Sequence, residues 1–144
     1  MAVYQTNSEQ ETMALGARLA RSLAGGSVVA MFGGLGMGKT AFVRGMAQVL
    51  APGKAVTSPT FALVHEYGGN PSLCHFDMYR VESWEDLYST GFFDYLDGGA
   101  VLAIEWSENI ETALPVGSYL VKFERTGDTA RRITITRKTE DDML

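Results

Sequence analysis

The sequence predicts an α/β domain of three layers, a largely parallel sheet between helices with an antiparallel hairpin near the C-terminal end. Three observations predict it. Short apolar runs such as VVAMF (28–32) and VLAI (101–104) have the composition of strands buried on both faces. A glycine-rich stretch, GGLGMGKT (33–40), follows the first run and leads into an amphipathic helical pattern. Two alternating segments, Tyr119–Glu124 and Arg132–Arg137, flank the turn residues Thr126-Gly127-Asp128-Thr129.

Along the chain, Ala2–Thr6 is a short candidate strand. Ser8 with Glu11 three residues later is a capping-box pattern, and Thr12, Leu15, Leu19 and Leu23 then recur at helical spacing. Gly25–Gly26 is expected to close that helix. Val28–Phe32 is the first buried strand. Beyond the glycine loop, Phe42, Met46 and Val49/Leu50 share one helical face, and Pro52–Gly53 ends it. Phe61–Tyr67 and Leu73–Tyr79 are expected as strands around a turn at 68–72, GGNPS. Ser83–Leu87 opens a helical turn, and Ala100–Ile104 is a second buried strand. Neither repeats nor a linker appear, so residues 1–144 are expected to form one domain.

Composition narrows the function classes. Hydrophobic content of 46% and charged content of 20% are ordinary for a soluble globular chain. A net charge of −5 argues against a protein that grips a nucleic-acid backbone by itself. The single cysteine, Cys74, cannot close an intrachain disulfide and suits a reducing compartment. With no long apolar run and no export-like N-terminus, the expectation is a cytoplasmic protein without a membrane span.

The stretch Gly33-(four residues)-Gly38-Lys39-Thr40 matches the phosphate-binding P-loop, G-x-x-x-x-G-K-[ST], in the strand–loop–helix context it needs. Glycines let the backbone curl so that N–H groups face phosphate oxygens, and the following helix N-terminus adds a positive dipole end. Lys39 has the reach for the β and γ phosphates, and the Thr40 hydroxyl suits one Mg²⁺ position. The fold expectation sharpens to a P-loop NTPase-like domain. A carboxylate must complete the metal shell, and two stretches compete for that role. VLAIE ends an apolar strand at Glu105. LCHFD (73–77) sets His75 and Asp77 on one face, and a strand buried on both faces is not expected to carry that imidazole. Glu105 is therefore the candidate metal acid. The alternative is a surface carboxylate at a strand end. Asp77 then orients water or the outer metal shell, or else is a cap or a partner of Arg80. Ser58-Pro59-Thr60 lies where P-loop proteins place a nucleotide-responsive loop, although a plain proline turn fits as well. Trp106, without further information, is core packing. His65, Cys74 and His75 lack the spacing of a metal cage.

Taken together, SEQET with LG at 8–16, GGLGMGKT at 33–40, RG at 44–45, TSPTFALVHEY at 57–67, HFDMYR at 75–80 and IEW at 104–106 resemble the TsaE family. These are small bacterial P-loop ATPases that support threonylcarbamoyladenosine modification of tRNA. The motifs run in family order over roughly residues 6–107. Gly34 departs from a usually acidic position and Met37 from a usual Ala; the phosphate-facing groups are backbone, so binding is expected to survive both. The resemblance implies an ATPase subunit that binds ATP/ADP and Mg²⁺. It acts on a TsaD–TsaB pair, which transfers the threonylcarbamoyl group to adenosine 37 of tRNAs reading ANN codons. It implies that Gly33 and Leu35, Gly36, Met37, Gly38, Lys39 and Thr40 cradle phosphates, and that Thr40 and Glu105 hold Mg²⁺. It further implies that Thr60 and Asp77 respond to nucleotide, that Trp106 is essential beside the metal, and that Glu9 and Arg131 approach the base or ribose.

Two other classes remain open at this stage: a small-molecule kinase with a P-loop, though no arginine-bearing lid insertion is evident, and a non-catalytic nucleotide sensor. The acidic balance further implies that tRNA is reached through protein partners and is not held tightly by this chain alone.

Overall fold

The computed structural model describes residues 1–34, 36–56 and 64–139. Their elements run β1 (Ala2–Thr6), α1 (Glu9–Ala20), β2 (Val28–Phe32), α2 (Lys39–Leu50), β3 (Val64–Gly69), β4 (Ser72–Asp77), α3 (Trp84–Ser89), α4 (Phe92–Asp97), β5 (Val101–Glu105), a 3₁₀ segment (Ser107–Ala113), β6 (Tyr119–Arg125) and β7 (Arg131–Arg137). One seven-stranded sheet has the order β1-β7-β6-β2-β5-β4-β3. Its four central strands, β6, β2, β5 and β4, are parallel, while β7 and β1 on one side and β3 on the other pair antiparallel. The parallel part of the expected sheet is thus its centre, and the C-terminal hairpin joins the sheet beside β2.

Strand alternation sorts the core into two halves. Val29 and Met31 of β2, and Val101 and Ala103 of β5, pack under α1 and α2 with Phe42, Val43 and Met46. Val28, Ala30 and Phe32, with Leu102 and Ile104, face the opposite layer of Leu87, Phe92, Ile110 and Leu114. These are the three expected layers.

Several boundaries differ from the sequence reading, each for a local reason. Helix α1 begins where expected, with the Ser8 hydroxyl accepting from Glu11 N–H at 3.1 Å. It stops at Ala20, five residues before Gly25, because Ser22 N–H and Oγ both turn back onto the Leu19 carbonyl and Leu23 N–H onto Ala20. Leu23 still reaches the core, from a turn. Strand β3 continues through Gly69 by way of a bulge between Glu66 and Gly68, so the turn before β4 is narrower than GGNPS; residues 61–63 of the expected strand lie outside the described residues. Strand β4 ends at Asp77 and not Tyr79, because the Asp77 carboxylate accepts from Tyr79 N–H at 2.9 Å and bends the chain. The expected helical turn at 83–87 is α3, capped by Ser83. Helix α4 and the 3₁₀ segment were not anticipated.

The contact between α1 and α2 fixes the P-loop helix on the sheet. It relies on Gly16 and Gly45: a Cβ on Gly45 would collide with the Met13 carbonyl, and one on Gly16 with the Phe42 carbonyl. Alanine is the better helix former by about 1 kcal/mol, but here the obstruction is backbone, so packing decides the sign. Gly45→Ala is expected to lower stability by about 1–3 kcal/mol, read as a lower urea midpoint with an unchanged slope; an unchanged or raised midpoint would refute the close approach.

Candidate functional site

The site forms where the parallel strands end. Residues 73, 75 and 77 of β4 and 101, 103 and 105 of β5 alternate onto the sheet face covered by α2, and the parallel register pairs Asp77 with Glu105. Helix α2 begins at Lys39, directly after the glycine loop that leaves β2. The loop bends through Gly33, Gly36 and Gly38, all at positive φ. Gly38, at φ 98°, sits at the N-cap of α2, where a side chain would be strained. Ser8 and Ser83 cap α1 and α3, but no side chain caps α2. Its first-turn amides are therefore left for an external anion, helped by the helix dipole.

Lys39 is almost fully buried, at 4% exposure. Its Nζ donates to the Gly33 carbonyl at 2.7 Å and lies 4.7 Å from the centre of the Trp106 ring. Burial pulls its pKa below the usual lysine value, while Glu105, Glu108 and Asp77 act in the opposite direction. Asp77 is half-buried. Burial raises its pKa above the usual carboxylate value, and the neighbouring Glu105 charge adds to the rise; the Tyr79 amide, His75 and Lys39 oppose it.

Glu105 is buried at 7% exposure, which removes the surface-carboxylate alternative. Its Oε2 lies 2.6 Å from Nε2 of His75. His75 itself is fully buried. The premise that a doubly buried strand would not carry this imidazole is therefore wrong, because the ring finds polar partners within the sheet face. Asp77 does act as a local cap, through Tyr79 N–H, and also stands beside Glu105; among the described residues no ion pair joins it to Arg80. Trp106 does pack against the core layer of Ile104 and Ile110, but is only partly buried. Its ring lies tilted against Tyr79, 4.9 Å between centres, and its backbone adopts φ 59°, ψ 41°, a left-handed conformation rare for a bulky residue. Such backbone strain gathers at functional sites.

A cavity of about 570 Å³ opens over the loop, within the range of ligand pockets. Its lining brings together Glu9, Gly36, Met37, Gly38, Lys39, Thr40, Glu105 and Arg131 from the sequence-predicted set, with Ser8, Thr12, Arg44, Asp128 and Thr129 in addition. Arg131 donates to the Gly36 carbonyl at 3.0 Å, and its Nε is buried with no partner. Gly33 lies at the loop's start, against Lys39 and Glu108. Leu35 and Thr60 lie outside the described residues. A larger groove of about 920 Å³ lies elsewhere, near Gly25, Glu66 and Asp94. Its lining has carboxylates but no lysine or arginine, so it does not suit a polyphosphate.

The oxygen donors of Thr40, Glu105 and Asp77 have the chemistry of a hard divalent cation site. Among the described residues no three His, Cys, Asp or Glu side chains form a ready-made metal cluster. Mg²⁺ typically takes one or two carboxylates and completes its shell with phosphate oxygens and water, so a threonine hydroxyl and two acids are chemically suitable donors for it. Sequence reasoning missed Glu108, whose Oε2 accepts from Gly33 N–H at 3.0 Å. Nothing in its spacing signals the contact, which comes from the 3₁₀ segment folding back beneath the loop. It missed Arg44 too, which carries no motif beyond the adjacent Gly45.

Fold and site together define a P-loop nucleotide-binding protein. The family model described as threonylcarbamoyl adenosine biosynthesis protein TsaE matches residues 6–133. Relatives named tRNA threonylcarbamoyladenosine biosynthesis protein TsaE include one from Treponema pallidum, 38% identical over 90% of this chain and 96% of its own. Another, from Bacillus subtilis, is 38% identical over 92% of this chain and 84% of its own. The crystal structure of Bacillus subtilis YdiB superposes with a TM-score of 0.81 at 31% identity, covering 97% of this chain and 87% of that one. The chain belongs to the TsaE family.

Two adjacent acids, one with a raised pKa, make the nucleotide-free site a source of instability. Asp77→Asn keeps a carbonyl oxygen for Tyr79 N–H and removes the charge. The folded pKa lies above the unfolded one, so the ionised carboxylate destabilises at neutral pH and stops doing so below about pH 4, where both states are protonated. Asp77→Asn is expected to melt higher than the wild type at pH 7, with the gain disappearing as the pH falls below about 4. A variant that melts lower at pH 7 would contradict this.

Proposed function

We propose that this chain is a Mg²⁺-dependent ATPase subunit of the tRNA threonylcarbamoyladenosine machinery and that it acts on a TsaD–TsaB transferase pair. The observation that carries the reading is the uncapped start of α2, with Lys39, Thr40 and Glu105 lining one cavity of nucleotide size and Asp77 paired with Glu105 on the neighbouring strand. Membership of the TsaE family supplies the pathway.

In this reading Leu35–Thr40 wrap the phosphates, Gly33 shapes the start of the loop with its N–H held by Glu108, and Lys39 leaves the Gly33 carbonyl for the β and γ oxygens. Thr40 and Glu105 hold Mg²⁺, which when bound draws charge off the γ-phosphoryl oxygens. Asp77 orients the attacking water or the outer metal shell, and residues around Thr60 respond to the γ-phosphate. Trp106 keeps the Lys39 ammonium aligned from beneath. Glu9 and Arg131 meet the ribose or base, the unpartnered Nε of Arg131 leaving a donor for that purpose. Water attacks the γ-phosphorus, and ADP and inorganic phosphate depart. No glutamine or arginine finger is evident around the γ-phosphate position among the described residues, so hydrolysis by the isolated chain is slow. Among the described residues no helix is long and apolar enough to cross a membrane, consistent with work in the cytoplasm.

Phosphate release from Mg-ATP, measured with the TsaD–TsaB pair present, is expected to fall by about 10²–10³-fold or more in Lys39→Ala. Retention of wild-type release by that variant, or no release by the wild type with the pair present, would refute the reading. The chain alone, carrying net charge −5, is expected to leave free tRNA unshifted in a gel at physiological salt; nanomolar retention would contradict the partner-mediated route.

A further inference from the structure

Behind Glu105 runs a line of polar groups, buried at His75 and Tyr67 and half-buried at His65, that the phosphate site does not itself use. His75 Nε2 lies 2.6 Å from Glu105 Oε2. On the ring's other side Nδ1 lies 3.4 Å from the Tyr67 hydroxyl, and that hydroxyl lies 3.3 Å from Nδ1 of His65. The line crosses three adjacent strands, β5, β4 and β3, with His65 directly opposite His75 in the antiparallel register. We propose that His75 is a positioning residue: its Nε2–H clamps one oxygen of Glu105 and thereby aims the other at the magnesium position.

The chemistry fixes the direction. An ionised carboxylate only accepts, so Nε2 of His75 must carry the proton. In the neutral ring Nδ1 is then an acceptor, and the Tyr67 hydroxyl stands within reach of it. The contact lengths rank the links. The 2.6 Å contact is a short, charge-assisted bond, whereas 3.3 and 3.4 Å are long for hydroxyl partners. The strong link is therefore the one from His75 to Glu105.

The clamp matters because the end of a glutamate side chain rotates in a broad, two-fold well. A free carboxylate at the mouth of the cavity would sample orientations that do not face Thr40. With Oε2 tied and the imidazole at 0% exposure, locked between strands, Oε1 is the oxygen left over for the site. Partners standing behind a metal ligand in this way tune metal affinity by about 10–100-fold. The inference rests on the reading of Glu105 as the magnesium acid.

The discriminating pair is His75→Gln and His75→Asn. The glutamine amide nitrogen falls near the former Nε2 and can still donate to Glu105; the asparagine amide falls near Nδ1 and cannot reach. Both lose the ring, so a merely structural role moves both alike. Binding of a fluorescent ATP analogue is titrated with Mg²⁺ and repeated in EDTA. Asparagine is expected to raise the half-saturating Mg²⁺ by about 10-fold or more, glutamine to stay close to wild type, and all three to bind equally in EDTA. Equal shifts in both variants, or none in either, would overturn the proposal. A wild type whose nucleotide affinity ignores Mg²⁺ would overturn the reading of Glu105 itself, and the proposal with it. A second measurement needs no variant: nitrogen-15 correlation spectra of the unmodified protein are expected to show the His75 proton on Nε2, and a proton on Nδ1 with a bare Nε2 would overturn the clamp.

Discussion

Burying the Lys39 ammonium is the constraint on which the site turns. A cation taken out of water must find opposite charge or give up its proton. The fold answers with acids at the ends of two neighbouring parallel strands, Glu105 and Asp77, and with Glu108 from the segment that follows. Both strand acids depend on register. A slip of one residue between β4 and β5 would turn one of the two carboxylates toward the apolar layer of Phe76 and Ile104 and leave the lysine short of countercharge. The apolar alternation of the strands and the electrostatics of the site therefore specify the same register.

The loop is held open by its own neighbours. The Gly33 carbonyl takes Lys39, the Gly33 N–H gives to Glu108, and the Gly36 carbonyl takes Arg131. These contacts tie down the Gly33 and Gly36 carbonyls, and among the described residues no side chain caps the first-turn amides of α2. Under the proposed function an arriving phosphate would compete with a neutral carbonyl for Lys39, and an ionic acceptor gives a bond roughly twice as strong. It would meet repulsion from Glu108 at Gly33, whose amide is already occupied.

How much of this could be read beforehand follows from the range of the interactions. The buried strands, the capped start of α1, the loop and α2 were legible, because each is written in contiguous residues with a fixed period or a required turn chemistry. The place of Glu105 at the end of a buried strand was legible too, but the choice of β5 over β4 drew partly on a mistaken reason. The argument against β4 assumed that an imidazole needs a wet face, and only the register with β5 and β3 reveals that Glu105 and Tyr67 satisfy it. Glu108 and Arg131 reach the loop from 75 and 95 residues away in sequence, and no local pattern announces such contacts. Helix α4 escaped because FFDYLD, six residues after a left-handed glycine, is too short to establish a helical period.

The C-terminal hairpin shows what that long-range order accomplishes. Strand β6 adds to the sheet beside β2, in parallel, and β7 returns along it so that Arg131 arrives next to Gly36. Two further bonds, to the Gly127 and Ala130 carbonyls, hold the guanidinium on the hairpin turn. Arg131 is therefore pinned to the turn and to the loop at once, and either can shift only by losing a bond to it. The same turn supplies Asp128 and Thr129 to the cavity wall. The cavity therefore has the glycine loop on one side and this turn on the other, with a single arginine bonded to both.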